Sequence, residues 1–160
     1  MNIRPARGSD RAAIWLVLEP MIRAGETYAL ARDMSETAAL DYWLAPAHRV
    51  FVAEVDGVVA GTYYLRANQS GGGAHVANCG YVTAAGAAGR GVATTMCAHS
   101  LDQARTQGFR AMQYNFVVAT NERAIRLWRR FGFAIIATLP EAFAHPRLGL
   151  VDAHVMHRKL

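Results

Sequence analysis

The order of hydrophobic patterns predicts an α/β (α+β) fold in which helices pack on one central sheet. Three features carry that expectation. A hairpin pattern surrounds Asp56-Gly57, a strand runs through a glycine turn into a helix near Gly89 and Gly91, and strand and helix patterns then alternate towards the C-terminus. A chain of 160 residues can bury a sizeable core yet is short for two domains, so residues 1–160 are expected to form one.

Ile3 opens a short strand. Ser9-Asp10 offers a helix cap ahead of Ile14, Trp15, Leu18, Met21 and Ile22, whose spacing places them on one buried face. Gly25-Glu26-Thr27-Tyr28 breaks that period. A second helix starts after Ser35, with Ala39, Leu40, Trp43 and Leu44 inward and Pro46 beyond its end. From Val50 the period becomes two, and Val50–Val55 and Val58–Leu65 form strands joined by the favoured two-residue turn. Asn68 to Gly73 reads as a flexible loop, because its run of glycines would lose too much entropy inside an element. His75–Thr83 is the next strand, Ala84–Arg90 a turn of small residues, and Gly91 to about Gln107 a helix stopped by Gly108. Ala111–Val118 is a strand and Asn121–Phe131 a helix. Phe133–Leu139 and Val151–His157 are the last two strands.

Composition narrows the function. A hydrophobic fraction of 52% argues against disorder, and no apolar run is long enough to span a bilayer. Asn2 to Arg7 places charge and proline where a secretory signal would be apolar, so a cytoplasmic protein with no membrane partner is expected. Cys79 and Cys97 lack metal-ligand spacing and read as reduced, buried thiols, with no metal site. The net charge of +5 suits nucleic acid or a polyphosphorylated small molecule equally. No basic run interleaves with aromatics, so nucleic acid is not the expected partner.

Two motifs carry chemistry. Ala88-Gly89-Arg90-Gly91-Val92-Ala93 lies where a strand meets a helix, a place where free backbone N–H groups and the helix dipole favour an anion. Neither a P-loop nor a dinucleotide fingerprint is present. Downstream stands Asn121-x-x-Ala124-x-x-Leu127-Trp128-x-x-x-Gly132-Phe133. The first motif resembles the Q/R-x-x-G-x-G/A pyrophosphate loop of GCN5-related N-acetyltransferases, and the second resembles the N-x-x-A-x-x-L-Y-x-x-x-G-F segment of the same family. Both fall in the family's order, over roughly residues 50 to 140.

The resemblance implies the GNAT fold: a mixed, mostly antiparallel sheet of about six to seven strands with splayed central strands, flanked by about four helices. It also implies acetyl-CoA as acetyl donor. Tyr81, Val82 and Thr83 occupy the strand whose main chain pairs with pantetheine in the family, and the Val82 N–H is expected to polarise the thioester carbonyl. Ala88, Gly89, Arg90, Gly91, Val92, Ala93 and Thr94 would cradle the pyrophosphate, with Asn121 on the pantetheine arm, where it can also cap its helix, and Ala124 and Trp128 beside it. Ala88 replaces the family's Arg or Gln, which removes a side chain but leaves the backbone cradle. Arg90 is the better candidate for a phosphate contact, whereas Arg123, Arg126 and Arg130 recur at helical spacing as a mostly solvated face from which one arginine could also meet cofactor phosphate.

Trp128 stands where the family has a tyrosine that protonates the departing thiolate, and an indole N–H is no such acid. Tyr114 or a water is the expected substitute, although a thiolate leaves tolerably unaided. Glu54, His75 and His145 are the candidate bases, and none singles itself out. Gly25–Tyr28, Asn78, Tyr114-Asn115-Phe116 and Thr138–Pro146 together resemble acetyltransferases acting on azetidine-2-carboxylate and related proline analogues. That likeness implies a small amine as acceptor, bound by Thr27, Tyr28, Asn78 and Asn115. The alternatives are a protein or peptide N-acetyltransferase, against which a closing tail from Leu139 to Leu150 argues, and an acetyl-CoA-binding regulatory module without catalysis. A homodimer is expected by analogy with relatives that pair through their sheets.

Overall fold

The computed structural model describes all 160 residues. The first strand, β1 (Asn2–Pro5), leads into α1 (Arg11–Ala24) and α2 (Glu36–Trp43). Then come β2 (Arg49–Val55), β3 (Val58–Ala67) and β4 (Val76–Thr83), followed by α3 (Val92–Thr106), β5 (Ala111–Val118), α4 (Glu122–Arg130), β6 (Ala134–His145) and β7 (Gly149–Lys159). The strands form one seven-stranded sheet in the order β1-β2-β3-β4-β5-β7-β6. Every pairing is antiparallel except that of β4 with β5. The expected mixed, mostly antiparallel sheet is therefore present.

Each face of the sheet carries one pair of helices. Ile14, Val17, Leu18 and Ile22 of α1 and Ala39, Leu40 and Trp43 of α2 bury against Val52, Tyr64 and Val82. Met96, Cys97 and Leu101 of α3 and Ile125 and Trp128 of α4 bury against Tyr63, Met112 and Tyr114 on the other face. Trp43 is fully enclosed, and its indole N–H donates to Thr62 Oγ1 at 3.1 Å, which donates in turn to Phe51 O at 2.9 Å. A buried indole needs such a partner, and truncating a ring of this kind costs about 3–5 kcal/mol.

Several sequence expectations are corrected. Trp15 and Met21 are only half-buried, and Val17 takes their place in the core. Asp10 does not cap α1. Its carboxylate instead accepts from Arg4 Nη1 at 2.7 Å, Arg4 Nη2 at 2.9 Å and the Arg7 N–H at 2.6 Å. Part of the glycine loop is ordered as a short 3-10 turn, Gly71–Gly73. The last two strands are longer than their patterns, because β6 passes Pro140 and reaches His145. Proline costs little on an edge strand, and the ladder is interrupted between Leu139 and Phe143, where Glu141 is left-handed and its N–H donates to Asp152 Oδ1 at 2.9 Å.

Hydrogen bonds from Arg4, outweighing burial and helped by the Arg7 N–H, hold the Asp10 carboxyl down at about 2 from its ordinary 3.8. A depressed folded-state value adds stability above the unfolded value and loses it as pH falls through the folded one. Asp10→Asn should therefore lower the urea midpoint at pH 6. The gap from the parent protein should close between about pH 4 and about pH 2 in urea titrations. A gap that persists unchanged at the lower pH would count against this linkage.

Candidate active site

The site begins where the sheet divides. The strands β4 and β5 pair only at Val76↔Ala111 and Ala77↔Met112, and beyond those positions they part. The opening holds a cavity of about 930 Å³, near the upper end for a small-molecule site. A break in the β5–β7 register between Tyr114 and Val117 puts Asn115 and Phe116 in a bulge, which turns them towards the opening.

Edge polarity decides which amides face the cavity. Ala84 N–H donates to Ala60 O at 2.9 Å, across towards β3. Ladder alternation turns the Val82 N–H to that same side, and the N–H groups of Tyr81 and Thr83 to the opening. This corrects the role expected of Val82. The Tyr81 main chain is the exposed polar edge, and Tyr28 covers it: Tyr28 Oη accepts from Tyr81 N at 2.8 Å and donates to Tyr81 O at 3.2 Å. Gly80 permits this approach, since a Cβ there would stand 2.9 Å from Tyr28 Oη and 2.5 Å from Tyr64 Cε1. The loop carrying Tyr28 is stapled by Arg23 Nη1 to Arg32 O at 2.6 Å and Arg32 Nε to Arg23 O at 2.9 Å.

At one end the cavity meets the turn before α3. Gly89 and Gly91 have φ of 82° and 78°, the left-handed region where a side chain is strained. Gly91 caps the helix, which leaves the N–H groups of Val92, Ala93 and Thr94 at its first turn without helical partners. Ala88, Gly89, Gly91, Val92, Ala93 and Thr94 all line the cavity. Arg90 does not. It turns away to Asp56 at 2.9 Å, so the expected phosphate contact is corrected. Arg123, Arg126 and Arg130 line that end instead. Arg126 is tied to Glu122 at 3.0 Å, while Arg123 and Arg130 have no carboxylate partner. Asn121 lines the cavity and also caps α4, accepting from the Ala124 N–H at 3.3 Å.

The middle of the cavity is an aromatic and hydroxyl column. Trp128 packs 4.9 Å from Tyr81 and 5.0 Å from Tyr114 between ring centroids, and Tyr114 stacks on Phe133 at 4.3 Å. Ser100 donates its one hydroxyl proton to Cys97 O at 2.8 Å. Tyr81 must then donate to Ser100 at 2.7 Å, and Tyr114 to Tyr81 at 3.0 Å. The Tyr114 proton is thus committed to Tyr81, which corrects the expectation that Tyr114 is a free acid. Burial also raises both phenols well above their ordinary range.

At the far end stand Thr27, Tyr28, Leu30, Tyr42, Tyr64, Arg66, Asn78 and Asn115. Asn78 is buried and donates to Gln113 O at 2.9 Å. Asn115 donates to Asn68 Oδ1 at 2.6 Å and accepts from Gln113 at 3.0 Å. No aspartate, glutamate, histidine or lysine lines this cavity. Glu54 pairs with Arg4 at 2.6 Å, and His75 is exposed at the start of β4. His145 lines a smaller neighbouring cavity that shares Thr27 and Asn121. Arg66, Tyr42 and Tyr64 were not singled out from sequence. Their signal is the alternation Thr62, Tyr64, Arg66, which puts an arginine in line with buried residues.

Residues 15–133 match the model of the acetyltransferase (GNAT) family. The chain is similar to N-acetyltransferase aca1 of Schizosaccharomyces pombe, 27% identical over 154 residues, spanning 84% of this chain and 72% of that protein. It is also similar to the structure of a GCN5-related N-acetyltransferase from Kribbella flavida, with 42% identity, a TM-score of 0.94, and coverage of 99% of this chain and 97% of that one. The fold further matches a phosphinothricin acetyltransferase from Sinorhizobium meliloti in complex with acetyl-CoA, at a TM-score of 0.86 and 19% identity, over 99% of this chain and 88% of that one.

The cradle depends on left-handed backbone that an alanine adopts at a cost of about 1–2 kcal/mol. Gly91→Ala should weaken acetyl-CoA binding roughly tenfold in calorimetric titration. An unchanged Kd would remove this turn from the binding site.

Proposed function

The chain belongs to the acetyltransferase (GNAT) family and is an acetyl-CoA-dependent N-acetyltransferase; from that premise we propose that its acceptor is the amine of a small, amino-acid-like molecule. The supporting observation is the lining of the far end of the cavity. The Tyr28 loop and the Tyr42 and Tyr64 rings enclose a compact space around the Asn78 and Asn115 amides. Outside it, the β6–β7 hairpin is tied to the same loop through Arg147 and Glu26, 2.7 Å apart, a link that favours a compact acceptor over an extended peptide.

Acetyl-CoA supplies a thioester whose carbonyl carbon an amine can attack. The cavity fits it: the α3 N-terminus and the arginines of α4 suit phosphates, and the free edge of β4 suits an extended amide arm. The Tyr81 N–H is taken by Tyr28 Oη, which fixes that hydroxyl beside the place where charge builds on the thioester oxygen. The Tyr28 hydroxyl, already bonded to Tyr81, can turn its proton to the same place. With no carboxylate or imidazole in the cavity, the attacking amine loses its proton to water. The leaving group is an alkyl thiolate of the same kind as a free cysteine thiolate, whose pKa is about 8.5, and it departs without a protein acid.

The direct test is release of coenzyme A from acetyl-CoA across small amino acids, proline analogues, polyamines and short peptides. Turnover should favour compact amino acids. Asn78→Ala should lower kcat/KM for them by roughly 10- to 100-fold with unchanged acetyl-CoA affinity. A peptide preferred over every small amino acid would sink the small-acceptor assignment, and acetyl-CoA binding without any turnover would favour a regulatory module.

The pH dependence follows from the same lining. Burial keeps the Tyr81 and Tyr114 phenols protonated above their ordinary range, so neither titrates within the working interval. The value of kcat/KM should rise as the acceptor amine deprotonates, with no descending limb up to about pH 9.5. A descending limb below that pH would reveal a protein acid that this site lacks.

A further inference from the structure

We propose that Arg66 recognises the acceptor's carboxylate, so that the acceptor is an amino acid anchored by its acid group at Arg66 and presenting its amine to Asn78. This rests on the small-acceptor assignment and extends it to a residue and a chemical class.

Arg66 lines the cavity, and its Nε is buried with no hydrogen-bond acceptor. The other half-buried arginines are all satisfied. Arg4 binds Asp10 and Glu54, Arg23 binds two main-chain carbonyls, and Arg158 binds Phe131 O. Arg66 has neither a carboxylate nor a carbonyl partner. A buried guanidinium donor left unmet is costly, and a bidentate carboxylate is the partner its planar fork fits.

The neighbours point the same way. Arg66 lies directly across the ladder from Asn78, so the two side chains rise side by side on the face of α1 and α2. Asn78 has committed its N–H to Gln113 O, leaving its carbonyl oxygen to accept from an amine. His48 stacks on Tyr64 at 4.2 Å between ring centroids beside Arg66. Burial, opposed by the hydrogen bond to Trp43 O and reinforced by the Arg66 charge, lowers its pKa, so it does not act as a second cation sharing an anion with Arg66. No acidic side chain lines the cavity, so a polyamine finds no counter-charge there. A carboxylate neutralises the one cation at this end.

The test uses matched pairs: glycine, L-proline and azetidine-2-carboxylate, each against its primary amide, with acetyl-CoA as donor. The amide keeps the amine and removes the negative charge, and because its amine is less basic, rates are compared per concentration of free amine. The parent protein should favour the acid over its amide by roughly 10- to 100-fold in kcat/KM. Arg66→Gln should erase that preference through KM of the acid, leaving the amide within about threefold of the parent. Arg66→Lys should restore part of the acid's KM. Calorimetric acetyl-CoA affinity and the melting temperature, both unchanged, would show that the variants are folded. Equal loss on acid and amide, or no loss on either, overturns the role of Arg66 while leaving the small-acceptor assignment intact. If the parent protein binds acetyl-CoA yet acetylates no member of the panel, both fall together.

Discussion

The parting of β4 from β5 is the constraint on which the rest of the molecule turns. Two residue pairs hold these strands together, after which the inner edge of β4 carries main-chain groups that no strand meets. Leaving such a group buried and unpaired costs about 1–3 kcal/mol, so each must find a partner. Tyr28 meets both groups of Tyr81 from a loop that arginine side chains hold in place. The β5 strand can afford to leave β4 because β7 pairs along its other edge from Ala111 to Val118. What results is a gap in the middle of a sheet, floored by backbone donors and walled by two helix layers.

Charge is divided along that gap with one sign throughout. Four arginines line it and no acid does, with Arg123, Arg126 and Arg130 towards the α3 N-terminus and Arg66 beside Asn78 and Tyr64. A donor with phosphates at one end and an acceptor with a carboxylate at the other would each meet positive charge. The lining between them is made of amides, hydroxyls, rings, small apolar side chains and the Cys79 thiol, whose pKa burial raises to about 12. Such a centre offers fixed dipoles to developing charge and no group that gains or loses a proton near neutrality.

Much of this was legible in sequence, and the failures have physical causes. The Asp56-Gly57 hairpin, the turn at Gly89 and Gly91 and the Asn121 cap follow from local backbone requirements, which a short segment states by itself. Strand parity does not. Whether Val82 or Tyr81 faces the gap depends on register with β3, a long-range fact. Arg90 looked like the phosphate contact because it sits inside the turn, yet the Asp56 carboxylate on the hairpin captures it. Arg123 and Arg130 looked like mostly solvent-facing charge because helical spacing cannot reveal that the exposed face of α4 borders a cavity. Arg66 was passed over because an arginine near the end of a strand normally reaches water. Its significance appears only once its neighbours prove to be Asn78, Tyr64 and a neutral histidine.

The tryptophan at 128 fits this arrangement better than a missing acid would suggest. Its ring packs against both Tyr81 and Tyr114, helping to hold the rings whose hydroxyls pass their protons from Tyr114 to Tyr81 to Ser100 and on to Cys97 O. That chain ends in a carbonyl, so it is a fixed dipole array, not a proton wire. It anchors the Tyr81 side chain on one face of β4 while Tyr28 fixes its main chain at the edge. A residue pinned at both ends holds the Tyr28 hydroxyl in place, and in the proposed mechanism a donor preorganised in that way lowers the barrier as charge forms on an oxygen. The site therefore trades assistance to the leaving group for a rigid donor at the carbonyl, a workable exchange when the leaving group is a thiolate and the nucleophile an amine already free of its proton.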